Sequence, residues 1–319
     1  MKKSQTLYVV VPCYNEEEVL HETTKRLKEK LESLIKDNVI SKESRVMYVN
    51  DGSKDKTWEL IEEISKEEKL FTGISLSRNR GHQNALLGGL MTAKKYADVI
   101  ISMDADLQDD INAIDAMLEK YYDGCEIVYG VRSARKTDTW FKKTTAEGFY
   151  KFMKLMGVDI VYNHADYRLA SKNVLDKLED FGEVNLFLRG MFPLVGYKSD
   201  IVYYERAERF AGESKYPLKK MLNFAWDGIT SFSVKPIRFI LSFGIVMSML
   251  SFISAVIFII LNLVNTGTLT VGSIISIMCL LTGIQITCIG IVGEYVGKTY
   301  SETKRRPRYI ISRNLNEEK

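Results

Sequence analysis

The chain has 319 residues, of which 44 are basic and 41 acidic, and its formal net charge is +3. This length predicts one large or two small domains, and the small net charge, without a run of basic and aromatic residues, argues against nucleic-acid binding. Two runs, Phe239–Val264 and Leu269–Val292, contain no Asp, Glu, Lys or Arg. This segregation of charge excludes a disordered chain and is not typical of a simple soluble protein.

Short β-rich runs alternate with amphipathic helices over the first 131 residues. Strands are predicted at Leu7–Val11, Arg45–Val49, Thr72–Leu76, Asp98–Met103 and Glu126–Gly130. Helices are predicted at Glu16–Ile35, Thr57–Ser65, His82–Lys95 and Asp110–Tyr122. The alternation predicts an α/β fold with a mostly parallel sheet, and in such sheets ligands bind at the carboxyl ends of the strands.

Polar residues follow four of these strands directly. They are Pro12–Glu17, Asn50–Thr57, Asp104–Gln108 and Arg132. Because the carboxyl ends of parallel strands meet at one edge of a sheet, the sequence predicts a single site built from these four segments.

Asp104 and Asp106 are the candidates for a metal site. Two carboxylates two residues apart, beyond the end of a strand, can hold one hard divalent cation, which prefers oxygen ligands and also accepts phosphate. The alternative is ordinary helix capping, because Asp109 and Asp110 follow and a helix is predicted to begin there.

Other polar residues near the predicted edge are further candidates. Asp51 can accept hydrogen bonds from a base or a ribose, or it can belong to an ordinary turn. Tyr14 offers a ring that can pack on a base, and Glu16 offers an acceptor beside it. For His82, at the start of a helix, we expect capping or bonding to the backbone, and the alternative is a catalytic role.

The pattern weakens from about residue 139 to 234. A helix is predicted at Trp140–Met156, Glu205–Lys220 is dense in charge, and Met221–Val234 is typical of an interfacial helix. Each apolar run that follows exceeds the about 20 residues that cross a hydrocarbon core. The runs therefore predict a transmembrane hairpin with a tight turn at Asn265–Thr268, and the alternative is a pair of buried core helices.

Positive charges flank the predicted hairpin at its outer ends. They are Lys235, Arg238, Lys298, Lys304, Arg305, Arg306 and Arg308. The positive-inside rule then places the N-terminal region and both termini in the cytoplasm, where the four cysteines are expected to be reduced. The spacing of Gly293 and Gly297 supports an oligomer through close helix packing.

Six motifs occur together in this order: VVVPCYNEE (9–17), VNDGSKDKT (49–57), MDADLQD (103–109), HADYRL (164–169), FLRGM (187–191) and ERFAGESKYPL (208–218). With the two apolar runs, this whole-length pattern resembles the family 2 glycosyltransferases of the GT-A fold. Among them it resembles the bacterial polyisoprenyl-phosphate glycosyltransferases, which are related to dolichol-phosphate mannose synthase. The resemblance implies a metal-dependent glycosyltransferase that uses Mg²⁺ or Mn²⁺.

The resemblance also implies roles for residues at matching positions. Nucleotide-sugar binding is expected of Pro12, Tyr14, Glu16, Asp51, Asp104, Ala105 and Arg132, and metal binding of Asp104, Asp106 and Gln108. Contacts with the lipid phosphate or the diphosphate are expected of Arg168, Arg206, Arg209 and Lys215. Catalytic roles are expected of Asp106, Arg132 and Asp166.

Asp166 occupies the position of the base that is proposed for the family. A phosphate monoester has a second pKa of about 6 and is largely dianionic at neutral pH, so such a nucleophile has little need of a base. Our hypothesis from the sequence is that Asp166 orients the acceptor or a sugar hydroxyl and raises the rate by positioning.

The predicted organisation is a GT-A domain at 1–220, an interfacial juxtamembrane helix at 221–235, a two-helix transmembrane hairpin at 236–297 and a basic cytoplasmic tail at 298–319.

By resemblance the protein transfers one sugar, with inversion, from a UDP-sugar such as UDP-glucose or UDP-N-acetylglucosamine to undecaprenyl phosphate at the inner leaflet of the bacterial cell membrane. Expected partners are the donor, the acceptor, the bilayer and further copies of the chain. Alternatives are a processive polysaccharide synthase, an inactive scaffold that binds nucleotide sugars, and a dinucleotide-binding oxidoreductase, although no G-x-G-x-x-G follows the first strand.

Overall fold

The computed structural model describes residues 4–133, 156, 164–205, 226, 229–231, 233–263 and 271–317. Outside these ranges lie the predicted turn at 265–268, most of the predicted helix 140–156, most of the charged segment 205–220 and most of the predicted interfacial helix 221–235. The predicted site residues Arg206, Arg209 and Lys215 lie outside them as well. The chain forms two compact units, one with residues 1–150, 159–217 and 305–319, which we call the α/β domain, and one with residues 151–158 and 218–304.

Eight strands form one sheet in the α/β domain. They are β1 (Leu7–Cys13), β2 (Arg45–Asn50), β3 (Phe71–Leu76), β4 (Val99–Ser102), β5 (Ile127–Arg132), β6 (His164–Ser171), β7 (Ser199–Tyr204) and β8 (Ile311–Asn314), in the order β7-β5-β6-β4-β1-β2-β3-β8. The pairs β1–β2, β1–β4, β2–β3 and β5–β7 are parallel. β6 is antiparallel to β4 and β5, and β8 is antiparallel to β3. The predicted α/β fold with a mostly parallel sheet is confirmed.

The helices of this domain cover the sheet. Among its described residues they are α1 (Leu20–Lys36), α2 (Thr57–Glu67), α3 (His82–Ala93), α4 (Ala113–Tyr122), α5 (Lys172–Glu179) and α6 (Leu188–Val195). The helix α1 buries the leucine stripe of its sequence, Leu20, Leu27, Leu31 and Leu34. The helix α3 differs, because every residue from Ala85 to Ala93 is buried.

The helix α3 comes very close to the sheet at Gly89. A Cβ atom at Gly89 would lie 2.5 Å from Cγ1 of Val10 and 2.5 Å from Cγ2 of Val49. We therefore expect Gly89→Ala to lower the free energy of unfolding by about 1–3 kcal/mol, as overpacking does, although alanine is the better helix former. The control is Gly182→Ala, because a Cβ there would meet nothing within 4 Å. Urea unfolding checks both variants, and equal stability would contradict the close packing.

The strand β6 brings a distant part of the chain to the carboxyl edge of the sheet. It lies antiparallel between β4 and β5, with Arg168 opposite Ser102 and His164 opposite Val131. Because of this direction β6 begins where β4 and β5 end, so Asp166 lies at the same edge as the loop after β4. A Cβ at Gly130 would lie 2.8 Å from the carbonyl oxygen of Tyr167, which requires glycine at this crossing.

Residues after Lys304 return to the α/β domain, which differs from the tail predicted at 298–319. The helix before them continues to Thr303, and β8 then pairs with β3 at the edge of the sheet. The N–H of Ser77 donates to the carbonyl of Ile310 at 2.9 Å, and the N–H of Leu315 donates to the carbonyl of Gly73 at 2.9 Å. The four residues of β8, ISRN, lack the apolar alternation that predicts a strand.

The second unit contains two long helices, α7 (Lys235–Leu263) and α8 (Val271–Thr303). The hydroxyl of Tyr295 donates to the carbonyl of Ser233 at 2.6 Å. Several large apolar side chains of the two helices are exposed, among them Phe239, Leu241, Ile286 and Ile289. When only the described residues are considered, no helix combines the length and the apolar character that a membrane crossing needs.

Candidate active site

The loops after β1 and β2 are joined to each other by hydrogen bonds. Asn15, whose φ is 55°, donates its N–H to Oγ of Ser53 at 3.1 Å, and its Oδ1 accepts from the N–H of Lys54 at 2.9 Å. The N–H of Glu16 donates to Oγ1 of Thr57 at 2.9 Å. The first two segments that the sequence analysis assigned to the site therefore form one connected surface.

Three predicted nucleoside-binding residues lie on or beside this surface. Pro12 is buried in β1, where it pairs with Val49. Glu16 is half-buried, whereas the side chain of Tyr14 is exposed. The structure thus brings the three residues to one edge and leaves Tyr14 the most accessible of them.

Asp51 shapes the loop that leads into α3. Its carboxylate is buried and accepts hydrogen bonds from the N–H of Arg80 at 2.7 Å and of Gly81 at 2.9 Å. Burial raises the pKa of the Asp51 carboxyl, and the two N–H groups partly offset this rise. Gly52 has a φ of 65°, and a Cβ there would lie 2.6 Å from the backbone nitrogen of Asn79. Asp51 therefore helps to fix where α3 begins, and its contact with a nucleoside stays a prediction.

The loop after β4 carries the predicted metal ligands. Asp104 and Asp106 are half-buried, and Gln108 is buried. The carbonyl of Ala105 accepts a hydrogen bond from Oγ1 of Thr23 in α1 at 2.9 Å. Oδ1 of Asp106 accepts from the N–H of Gln108 at 3.2 Å. The loop is thereby held to α1, with both carboxylates at the carboxyl edge.

The charge around Asp104 favours a bound cation. Burial raises the pKa of the Asp104 carboxyl to about 6, His82 opposes the rise, and the negative charges of Asp109, Asp166 and Asp106 add to it. Two carboxylates and an amide are oxygen ligands of the kind that Mg²⁺ and Mn²⁺ take, so these residues fit such an ion. Within the described ranges no group of three or more His, Cys, Asp or Glu side chains is arranged to hold a metal. Water and phosphate oxygens can complete the coordination of such an ion.

Asp166 is the centre of a charged cluster at the same edge. Its Oδ1 accepts hydrogen bonds from Nη2 of Arg168 and from Nε of Arg189 at 3.2 Å, and its Oδ2 accepts from Nη2 of Arg189 at 3.0 Å. Nε2 of His82 lies 3.6 Å from Oδ2 of Asp166 and 3.6 Å from Oδ1 of Asp104. The cluster therefore connects the loop after β4 with β6, α3 and α6.

The cluster keeps Asp166 ionised. Burial alone would raise the pKa of Asp166, but Arg189, His82 and Arg168 hold it well below its usual value. Burial lowers the pKa of His82, yet the carboxylates of Asp166 and Asp104 raise it overall. A carboxylate stabilised in this way is a poor proton acceptor, which favours an orienting role for Asp166.

Arg168 lies beneath the cluster rather than at its surface. Its side chain is 1% exposed, its Nη1 donates to the carbonyl of Leu188 at 3.4 Å, and its guanidinium lies 4.5 Å from the ring centroid of Phe192. The predicted contact of Arg168 with a phosphate does not fit this burial. Arg189 is 28% exposed and is the arginine of the cluster that can reach a phosphate.

Sequence reasoning missed the roles of His82 and Arg189. The expectation that His82 caps a helix or bonds to the backbone is wrong, because its ring lies between two carboxylates. The motif FLRGM was identified in the sequence, but no role was assigned to its arginine, Arg189. An arginine in a motif of a predicted phosphate-binding protein was a usable signal for a phosphate contact. Arg132, by contrast, ends β5 at the predicted edge, where it pairs with Asp109.

Comparison with known proteins identifies the family. The sequence pattern of Glycosyl transferase family 2 matches residues 8–179. The chain belongs to glycosyltransferase family 2. This glycosyltransferase is 52% identical over 319 residues to the "Uncharacterized glycosyltransferase YkoT" of Bacillus subtilis (strain 168), a match that covers 100% of this chain and 95% of the relative.

Two further comparisons extend over nearly the whole glycosyltransferase. It is 40% identical over 308 residues to the "Prophage bactoprenol glucosyl transferase homolog" of Escherichia coli (strain K12), which covers 96% of this chain and 98% of the relative. The solved structure of the mannosyltransferase PcManGT from Pyrobaculum calidifontis, in complex with GDP-Man and Mn²⁺, matches 92% of this chain and 88% of that chain with a TM-score of 0.44 and 15% identity. The sequence matches confirm the family prediction.

Proposed function

We propose that this glycosyltransferase transfers a single sugar, with inversion, from a UDP-sugar to undecaprenyl phosphate at the inner leaflet of the bacterial cell membrane. The product is a lipid-linked phosphosugar for envelope glycosylation, and we expect UDP-glucose or UDP-N-acetylglucosamine as the donor. The relative named as a homolog of a bactoprenol glucosyl transferase aligns with 96% of the chain, so the similarity includes both long helices as well as the α/β domain.

The observation that carries the proposal is the close placement of opposite charges at the carboxyl edge. Asp104 faces His82 at 3.6 Å, His82 faces Asp166 at 3.6 Å, and Asp166 holds Arg189. A nucleotide sugar and a lipid phosphate are both anionic, so an enzyme that joins them has to offset their repulsion. A cation at Asp104 and the guanidinium of Arg189 would do so from two sides.

The proposed reaction is a direct displacement. An oxygen of the acceptor phosphate attacks the anomeric carbon, the bond from this carbon to the β-phosphate oxygen breaks, and UDP leaves with the electron pair. Mg²⁺ or Mn²⁺, when bound, supplies positive charge that stabilises the departing diphosphate. Asp104 and Asp106 would hold the ion, Arg132 would contact the diphosphate, and Asp166 would orient Arg189 toward the acceptor. The acceptor is already ionised and needs no base.

We also propose that α7 and α8 form a membrane hairpin with the α/β domain in the cytoplasm. The runs 239–264 and 269–292 contain no charged residue, and apolar side chains of both helices are exposed. Basic residues lie at the outer ends of the hairpin, as the positive-inside rule expects of cytoplasmic ends. The spacing of Gly293 and Gly297 supports association of several copies through these helices.

A transfer assay tests the proposed reaction. Purified protein, undecaprenyl phosphate, Mn²⁺ and a panel of radiolabelled UDP- and GDP-sugars are combined, and label is followed into the organic phase. We expect transfer from one UDP-sugar, loss of transfer on addition of EDTA, and at least about a 100-fold lower rate for Asp104→Asn. The control is Asp176→Asn, which changes an exposed carboxylate paired with Lys94 and should keep the wild-type rate.

Other outcomes of the assay favour other functions. Growth of a polymer in place of a single transferred sugar would favour the processive synthase. Binding of a nucleotide sugar without transfer from any donor would favour the inactive scaffold. Equal rates for Asp104→Asn and wild-type protein would contradict the metal site.

A further inference from the structure

Three side chains next to the candidate site form a closed ring of hydrogen bonds, which we call the Arg132 trio. Arg132 at the end of β5 stands opposite Tyr204 at the end of β7. The hydroxyl of Tyr204 donates to Oδ1 of Asp109 at 2.5 Å, and Nη2 of Arg132 donates to the same oxygen at 3.1 Å. Nε of Arg132 donates to the hydroxyl oxygen of Tyr204 at 3.2 Å. Each member of the trio is therefore bonded to the other two.

The trio is buried except for part of the guanidinium. The side chain of Asp109 is 0% exposed, that of Arg132 is 23% exposed, and Tyr204 is buried. Burial alone would lower the pKa of Arg132, but Asp109 and Tyr204 raise it overall, so the guanidinium stays charged. Buried ion pairs add little net stability because both charges lose their hydration. Oδ2 of Asp109, moreover, has no hydrogen-bond partner among the described residues.

The trio also links two parts of the candidate site. Asp109 directly follows Gln108, the last of the predicted metal ligands. Its bonds to Arg132 and Tyr204 therefore tie the loop after β4 to the ends of β5 and β7. The distance between the predicted metal ligands and the guanidinium is set by this connection.

We propose that Asp109 and Tyr204 are positioning residues that hold Arg132 in the orientation in which it contacts the donor's diphosphate. This inference rests on the proposed function, because it needs a diphosphate-bearing donor. The guanidinium is planar, so the hydrogen bonds of its Nε and Nη2 to Tyr204 and Asp109 fix the direction in which it presents its charge. Charge that is oriented before the reaction stabilises a developing diphosphate without reorganisation.

The test compares two tyrosine hydroxyls. Tyr204→Phe removes one hydroxyl from the trio and keeps the ring, which packs edge to face on Tyr167 with 5.3 Å between centroids. We expect kcat/KM for the UDP-sugar to fall about tenfold. The matched control is Tyr167→Phe, because Tyr167 is also buried and its hydroxyl donates to the carbonyl of Asp110 at 3.0 Å, outside the trio. This control should stay within about twofold of wild type.

A double-mutant cycle separates positioning from folding. In Arg132→Ala protein, Tyr204→Phe should cause no further loss, because the guanidinium that it orients is absent. Equal losses from Tyr204→Phe and Tyr167→Phe, or the same loss in both backgrounds, would overturn the inference.

Calorimetry of UDP binding in the presence of Mn²⁺ distinguishes failure of the proposed function from failure of the positioning role alone. If wild-type protein neither binds UDP nor transfers sugar, the proposed function fails and the positioning role fails with it. If wild-type protein is active and Tyr204→Phe matches it in both binding and transfer, the positioning role alone fails. Weaker UDP binding by Tyr204→Phe, with Tyr167→Phe unchanged, is the result that we expect.

Discussion

Replacing Asp166 with asparagine is expected to lower the rate of sugar transfer by about 10³-fold. The neutral amide cannot balance the guanidinium groups of Arg168 and Arg189, both of which bind the Asp166 carboxylate. Arg189 would then lose the orientation in which it meets the acceptor phosphate. Because the pKa of Asp166 is held well below its usual value, wild-type Asp166 does not titrate near neutrality. The ratio of mutant to wild-type rates should therefore be constant between pH 6 and 8 once the titration of His82 is removed and the proposed metal site at Asp104 is saturated with Mn²⁺.

The pH profile decides between an orienting group and a base. A base becomes less important as the acceptor phosphate ionises around its second pKa of about 6, so a loss that shrinks steadily with rising pH would contradict the orienting role. His82 lies 3.6 Å from Asp166 and has a raised pKa. Replacing His82 with glutamine in both the Asp166→Asn and the reference protein removes the titration of His82 from the pH profile. The control Asp176→Asn should show the wild-type rate at every pH.

Deleting residues 309–319 is expected to lower the free energy of unfolding of the α/β domain by about 3–5 kcal/mol. The deletion removes β8 from the edge of β3 and Leu315 from its contact with the core. It also removes the ring of Tyr309, which packs against α3 at Gly88. The packing is so close that a Cβ at Gly88 would lie 3.2 Å from this ring. Since α3 begins with His82, we expect the transfer rate to fall as well.

Thiol labelling measures this loss of stability in the full-length protein. Cys13 and Cys125 are buried in the α/β domain, so they react with a thiol reagent only when the domain opens. With Cys279 and Cys288 replaced by serine, the deletion should raise the labelling rate about 100-fold or more. The control Arg313→Gln removes an exposed ion pair with Glu62, which is worth at most about 1 kcal/mol. Unchanged protection after the deletion would show that β8 is dispensable.

The strands β1 to β5 and the site at their carboxyl ends were predictable because the signals are local. Each strand is a short apolar run bounded by polar residues, and the residues that follow it define the loop. Asp104, Asp106 and Arg132 consequently lie at the edge to which the sequence analysis assigned them. For these elements a reading of neighbouring residues was sufficient.

The charged cluster and β8 were not predictable in this way. The position of β6 between β4 and β5 depends on pairing between distant segments, and it alone brings Asp166 near Asp104 and His82. Arg189 in α6 contacts Asp166, and no periodicity of the local sequence predicts this contact. The strand β8 has a polar sequence and gains its conformation from the edge of β3, so tertiary contacts decide its structure.

The place of β8 in the chain has a consequence for biosynthesis. The ribosome makes α7 and α8 after β3 and before β8, so the edge of β3 remains open while the two apolar helices emerge. An open edge exposes unpaired N–H and C=O groups that can capture a strand of another chain. The sheet therefore closes only after the proposed membrane hairpin has been synthesised. A nascent chain that stalls within the hairpin keeps this edge exposed and therefore open to pairing with other strands.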